Sequence, residues 1–317
     1  SSLNKIYIVA CGTAMHAGLS GKNAIEKLCR IPVEVDIASE FRYRDPIIDE
    51  KTLCIFISQS GETADTIAAL KLSKEKGAKT LAITNVIGSS ITREANYSIY
   101  THAGPEIAVA STKAYTSQVL LINILAIYFA EILKTQTSEF INALKKDILE
   151  LPKKIEETLK TNEQIKKFAK QIYQEKDVFF LGRGIDETVA REGSLKLKEI
   201  SYIHSESYPA GELKHGSIAL IENGVTVVGI MTDKDLVKKT VSNLQEVITR
   251  GAKTLIISNQ DIDKSMFDTV IDIPETNCFV SPILSIIPLQ LLAYHISKEK
   301  GLDVDKPRNL AKSVTVE

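Results

Sequence analysis

The sequence predicts an α/β protein made of two tandem domains, each a doubly wound parallel sheet, related by duplication. Three observations predict it. Nearly the same stretch occurs twice, "GAKTLAITN" at 77–85 and "GAKTLIISN" at 251–259. Short, continuously apolar runs alternate with longer helical patterns, as expected of parallel strands covered on both faces. The length of 317 residues suits about two domains, and 44% hydrophobic with 25% charged residues is the balance of a globular chain.

Each copy opens on an apolar strand that ends in a glycine turn, "IYIVACGT" (6–13) and "DVFFLGRG" (177–184). A second strand follows in both, "TLCIFISQS" (52–60) and "GVTVVGIMT" (224–232). After "CIFIS", the run "ADTIAALKLSKEKG" brings Ile67, Leu70 and Lys74 round at helical spacing, and Gly77 supplies a stop. The stretch "VLLINILAIYFAEIL" reads as a buried core helix, too short to span a bilayer and holding Asn123 and Glu131. Its echo is "SPILSIIPLQLLAYHIS" (281–297), and the charged "LKKDILELPKKIEETLKTNEQIKKFAKQI" between the copies reads as a helical connector. The expected division is a first domain over 1–140, a connector over 141–165, a second domain over 166–306 and a tail over 307–317.

A net charge of −1, with both signs interleaved, argues against nucleic acid or a membrane surface as partner. Cys11, Cys29, Cys54 and Cys278 form no C-x-x-C pair and read as small buried residues in a reducing, cytoplasmic compartment. The histidines lack metal-ligand spacing, and no metal or other cofactor is implied. No signal peptide is read before the first strand. Because the chain opens on Ser1 without a methionine, a longer natural chain is expected.

The densest chemistry lies at "FISQSGETADT" (56–66), where a strand turns into a helix. Ser58, Ser60 and Thr63 offer hydroxyls, Gln59 an amide, and Gly61 lets a ligand approach the backbone. The following helix adds free N–H groups and the positive end of its dipole. Helix capping is the plain alternative for any one of these hydroxyls. As a group they fit a phosphate monoester held by neutral donors. A nucleotide fits less well: no G-x-x-x-x-G-K-[ST] occurs, and "GRGIDE" (182–187) lacks the third glycine of a dinucleotide fingerprint.

Taken with "VASTKAYTSQ", "EGSLKLKEISYIHSESYPAGELKHG" and the terminal "RNLAKSVTVE", in that order, this cradle resembles the glucosamine-6-phosphate synthase family, the isomerizing glutamine–fructose-6-phosphate aminotransferases. The resemblance covers essentially the whole chain but only that family's isomerase half, two sugar-isomerase (SIS) domains of flavodoxin-like type. The glutaminase half, normally in the same chain, is not in this sequence. The resemblance implies that Ser58, Gln59, Ser60 and Thr63 grip the phosphate of fructose 6-phosphate, and that Thr13, Val109, Ser111 and Ala311 lie along the sugar. It assigns the chemistry to Lys196, Glu199, His215 and Lys312, with His215 coming from the neighbouring subunit of a homodimer. Ala14 stands where the family pattern leads one to expect a hydroxyl, and the second copy has "MTDKDLVKKT" in place of a cradle.

Glu192, Lys196 and Glu199 fall at i, i+4 and i+7, one stripe of a helix, which in an arbitrary helix would be a surface salt-bridge ladder. In the family's reaction Glu199 would shuttle the proton between C1 and C2, and Lys196 would stabilise charge on the enediol-like oxygens. His215, on a loop between Gly211 and Gly216, would open the ring. Lys312 would form a Schiff base with the C2 ketone, from a tail expected to be mobile without ligand and ordered with it. The expected function is conversion of fructose 6-phosphate, with ammonia from glutamine, to glucosamine 6-phosphate, the first step of hexosamine synthesis. A non-enzymatic sugar-phosphate sensor and a plain hexose-phosphate isomerase are the alternatives.

Overall fold

Two parallel five-stranded sheets form the protein, one in each of two units. The computed structural model describes residues 3–316. One unit runs to Lys145 and takes back the stretch from Ala311; the other is Lys146–Leu310.

In the first unit the elements are β1 (Lys5–Ala10), α1 (Gly12–Cys29), β2 (Val33–Ile37), α2 (Ala38–Phe41), β3 (Thr52–Ser58), α3 (Ala64–Glu75), β4 (Lys79–Thr84), α4 (Ser90–Glu94), β5 (Tyr97–Tyr100) and α5 (Lys113–Leu133). Helix α6 (Ser138–Leu159) carries the chain into the second unit. There follow α7 (Asn162–Ile172), β6 (Asp177–Gly182), α8 (Ile185–Ser201), β7 (His204–Pro209), β8 (Thr226–Met231), α9 (Val237–Ile248), β9 (Lys253–Ser258), β10 (Thr269–Asp272) and α10 (Ser281–Glu299).

The first sheet has the order β2-β1-β3-β4-β5 and the second β7-β6-β8-β9-β10, so the repeated sequence folds into one topology twice. The repeated GAKTL stretches are β4 and β9 with the turns before them. Strands buried on both faces carry continuous apolar runs: Ile6, Ile8, Val9 and Ala10 of β1 and Cys54, Ile55 and Phe56 of β3 are all at 0% exposure. Each large side chain so buried contributes about 1.5–3 kcal/mol before entropy is counted.

Glycine sets the closest helix contacts. A Cβ on Gly193 of α8 would meet Leu289 Cδ1 of α10 at 2.5 Å, so α8 and α10 pack at a separation only glycine allows. Helix α7 packs on α10 in turn, through a face that buries Ile165, Phe168, Ala169 and Ile172. His295 of α10 meets Asn162 there at 2.8 Å.

Two sequence expectations need correction. Helix α5 has 21 residues, beginning at Lys113, and among the described residues it is long and apolar enough to cross a membrane. Only one side is core: Tyr115, Val119, Ile122 and Ala126 are buried in a helix that packs against α1, while Ile124, Tyr128 and Ile132 face outward. Asn123 is buried, and its amide donates to the Val119 carbonyl within the helix at 2.9 Å. The cysteines also divide: Cys29 and Cys54 are buried, whereas Cys11 and Cys278 are partly open, and all four are free thiols.

Candidate active site

The strand order 2-1-3-4-5 reverses between β1 and β3, and the crevice outside the carboxyl ends of those two strands is where such sheets bind ligands. Ala10 pairs with Ile57 at that edge. The residues just beyond are Thr13, second in α1, and Ser58 to Thr63, between β3 and α3. The topology therefore brings Thr13 and the hydroxyl cluster to one place.

The cluster is already organised. Ser58 Oγ accepts the Gly61 N–H at 3.0 Å and lies 3.0 Å from Thr63 Oγ1. Ser60 Oγ accepts the Glu62 N–H at 3.2 Å, and the Gln59 carbonyl accepts the Asn85 N–H at 3.1 Å. Gly61 has φ +69°, and a Cβ there would meet Ser89 Oγ at 2.2 Å, so both conformation and space demand glycine. From the side, Glu62 accepts the Ser90 N–H at 2.8 Å. Thr63 is the N-cap of α3 but makes no side-chain cap bond, which leaves its hydroxyl to the cradle.

The tail docks on this same unit. Ser313 Oγ lies 3.0 Å from Ser60 Oγ, and the Ala64 N–H donates to the Val314 carbonyl at 3.2 Å. Lys312 Nζ is 3.0 Å from Glu106 Oε2, donates to the Ala108 carbonyl at 2.8 Å, and stands 3.5 Å from Ser111 Oγ. Val109 and Ser111 are half-buried on that loop, and Ala311 is exposed just before Lys312. Glu106 and Ser313 were missed in the sequence. Ser313 meets Ser60 and Glu106 meets Lys312 across more than 200 residues, and the only local signal was an acid shortly before a helix start.

In the second unit α8 confirms the stripe. Lys196 Nζ is 3.4 Å from Glu192 Oε1 and 2.5 Å from Glu199 Oε2. The side chains of Glu192 and Lys196 are 0% and 2% exposed, while Glu199 is 21% exposed, so this is a buried triad with one open carboxylate. Burial alone would push the Lys196 ammonium down, but the two glutamates outweigh it and its pKa stands above the ordinary lysine value. His215 ends a single 3-10 turn, Leu213–His215, and is exposed.

The second unit shows why its own strand end is no cradle. Asp186, fully buried at the start of α8, accepts the N–H groups of Thr232 (2.8 Å) and Asp233 (3.3 Å) and the Thr232 hydroxyl. A carboxylate of the chain thus covers the N–H groups beyond β8, the counterpart of β3. Burial raises the Asp186 pKa to about 6 against these hydrogen bonds. An aspartate raised by folding stabilises below its unfolded value and loses that contribution as pH climbs through the folded one. Asp186→Asn is therefore expected to remove a gain in melting temperature that the parent shows on acidification from about pH 6 to about pH 4. Parallel melting curves across that range would contradict this.

The sequence model of the SIS domain matches residues 1–128 and again 171–297, one match in each unit. Over 320 residues the chain is 60% identical to glutamine–fructose-6-phosphate aminotransferase [isomerizing] of Clostridium perfringens, covering 100% of this chain and 52% of that one. The Clostridium tetani protein of the same name is 62% identical over 318 residues, 99% of this chain and 52% of that one. The chain thus spans about half the length of the relatives it matches. Among solved structures, the C-terminal domain of glucosamine-fructose-6-phosphate aminotransferase from Francisella tularensis superposes with a TM-score of 0.92 at 40% identity, covering 96% of this chain and 88% of that one. A glucosamine-6-phosphate deaminase from Thermotoga maritima, 24% identical over 98% of this chain and 90% of that one, shares the fold at a TM-score of 0.81. The chain belongs to the SIS-domain family and, within it, to the C-terminal half of the glutamine–fructose-6-phosphate aminotransferases.

Proposed function

We propose that this chain is the sugar-isomerising part of a glutamine–fructose-6-phosphate aminotransferase, acting on fructose 6-phosphate. The observation that carries the reading is the joining of a neutral hydroxyl cradle to a lysine amine through neighbouring tail residues, Ser313 on Ser60 and Lys312 on the loop of Val109 and Ser111. A cradle holds a phosphate. An amine beside it adds a means of holding a ketone.

Ser58, Gln59, Ser60 and Thr63 bind the phosphate, and Thr13, Val109, Ser111 and Ala311 line the sugar. His215, supplied by the other subunit of a homodimer, moves the proton that opens the ring; its exposure supports service outside its own fold. Lys312, after losing a proton, adds to C2, and the C2 oxygen leaves as water to give an imine. Glu199 takes the C1 proton and returns one to C2, while Lys196 steadies the negative charge that develops between the two steps. In the longer protein, ammonia released from glutamine displaces the lysine amine from the C2 imine before that proton transfer, so nitrogen stays on C2 and the product is glucosamine 6-phosphate. Without ammonia, water returns the ketone and frees the lysine, and the same transfer gives glucose 6-phosphate. On this reading the protein works in the cytoplasm.

Replacing Ser60 and Thr63 together by alanine is expected to weaken fructose 6-phosphate binding by about 1–3 kcal/mol, the range for lost hydrogen bonds to a charged group. Titration calorimetry reads this directly. Unchanged affinity in the double variant would remove the cradle from the proposal.

A further inference from the structure

The carboxylate of Glu106 lies between the tail and the loop that the functional reading assigns to the sugar. One oxygen, Oε2, meets Lys312 Nζ at 3.0 Å. The other, Oε1, accepts the N–H of Thr112 at 2.7 Å and that of Ala114 at 3.3 Å, with the Thr112 hydroxyl also at 3.3 Å. Those N–H groups belong to the N-cap and the first turn of α5, whose positive dipole end favours an anion. Glu106 is thereby fixed by the helix, independently of the tail, with its second oxygen aimed at the lysine.

Residues 307–316 form no helix or strand. Beyond the lysine, the tail meets this unit through a hydroxyl pair, Ser313 with Ser60, and a backbone bond, from Ala64 to Val314. Lys312 with Glu106 is the one ion pair of the tail among the described residues, and the glutamate side chain is 4% exposed against 25% for the lysine. A carboxylate so buried pays a desolvation cost that an ammonium offsets and a neutral group does not. Burial pushes the Glu106 pKa up, but the Thr112 N–H and the lysine outweigh it, and the carboxyl stays below its usual range. It remains charged.

We propose that Glu106 is a positioning residue that docks the tail by its lysine, setting the Lys312 amine against the loop of Val109 and Ser111. The inference rests on the functional reading above, since it takes Lys312 as the group that meets the sugar. Phosphate binding and amine placement then divide between two anchors on one unit, the cradle and Glu106. The carboxylate holds the amine and does not act as its base, because backbone N–H donors already stabilise it as an anion.

The test uses Glu106→Gln and Glu106→Asp in the full chain, with two readouts. The first is the rate at which borohydride fixes fructose 6-phosphate to the protein. With Gln, the maximal trapping rate is expected to fall about tenfold or more, as for a misplaced reacting group. The sugar concentration giving half that rate should move less than about twofold, because the cradle is untouched. Asp, which keeps the charge, should restore part of the loss. The second readout is trypsin cleavage after Lys312 without any sugar, expected to quicken in the Gln variant and to return towards the parent rate in the Asp variant. Wild-type trapping on Lys312 with an equal rate in the Gln variant overturns the proposal, as does a parallel loss of trapping and sugar affinity. Should the parent itself show no adduct, the functional reading has failed, and the cleavage rates alone then decide whether Glu106 docks the tail: equal rates overturn it.

Discussion

Lys312→Ala is expected to abolish covalent trapping of fructose 6-phosphate by borohydride, with the parent protein yielding a single adduct on Lys312. Two lysines are candidates for the reacting amine, Lys196 in one unit and Lys312 in the other, and their surroundings separate their roles. Lys196 is 1% exposed, lies between two glutamates, and has its pKa raised above the ordinary value, so it stays an ammonium without a lone pair to attack a ketone. Lys312 is one-quarter exposed, rides on the tail, and has a single carboxylate partner to leave. Its amine adds to C2, water departs, and borohydride delivers hydride to the imine carbon to leave a stable secondary amine. Peptide mapping by mass spectrometry checks the position. An adduct on Lys196 would reverse the assignment of the two lysines.

Glu199→Gln is expected to cut the interconversion of fructose 6-phosphate and glucose 6-phosphate by about 10²–10⁴, the usual contribution of a positioned acid–base group. Of the three charged residues on the α8 stripe, only Glu199 opens towards solvent, at 21% against 0% and 2%. A proton carried between C1 and C2 must pass through a base the sugar can reach, and of the two carboxylates Glu192 is fully buried while Glu199 is partly open. Glutamine has nearly the same shape and cannot take the proton. Lys196 would still have Glu192 at 3.4 Å, so the buried ammonium is not left without a carboxylate. The affinity for the sugar measured by calorimetry should therefore hold while the rate falls. A rate within about threefold of the parent would move the proton shuttle elsewhere.

The duplication made the fold legible before any coordinates, because the two GAKTL stretches fixed equivalent strands and everything else followed in step. The edge strands β2, β5, β7 and β10 were not read; Val33–Ile37 and Thr269–Asp272 are short, and polar residues interrupt them, while His204–Pro209 is largely polar, so none shows a continuous apolar run. The hydroxyl cradle was legible because it is local: Ser58, Gly61 and Thr63 bond to one another within six residues. The stripe on α8 was legible by periodicity, but its burial was not, since the same spacing serves a solvated ladder. Glu106 and Asp186 escaped notice for a common reason. Each acts through partners brought to it only by the fold, Lys312 in one case and the Thr232 backbone in the other. The tail, short of apolar residues, gave no local sign that its hydroxyl and backbone would settle on the cradle.

An enzyme and a sensor would share the cradle and differ in whether a proton leaves C1. The most direct measurement is proton NMR of fructose 6-phosphate incubated with this chain in heavy water, without glutamine or ammonia. The account predicts loss of one C1 hydrogen signal as deuterium enters from solvent, slow appearance of glucose 6-phosphate labelled at C2, and neither with Glu199→Gln. Saturable binding of fructose 6-phosphate with its C1 hydrogens intact after prolonged incubation would contradict the account and leave a sugar-phosphate-binding module in its place.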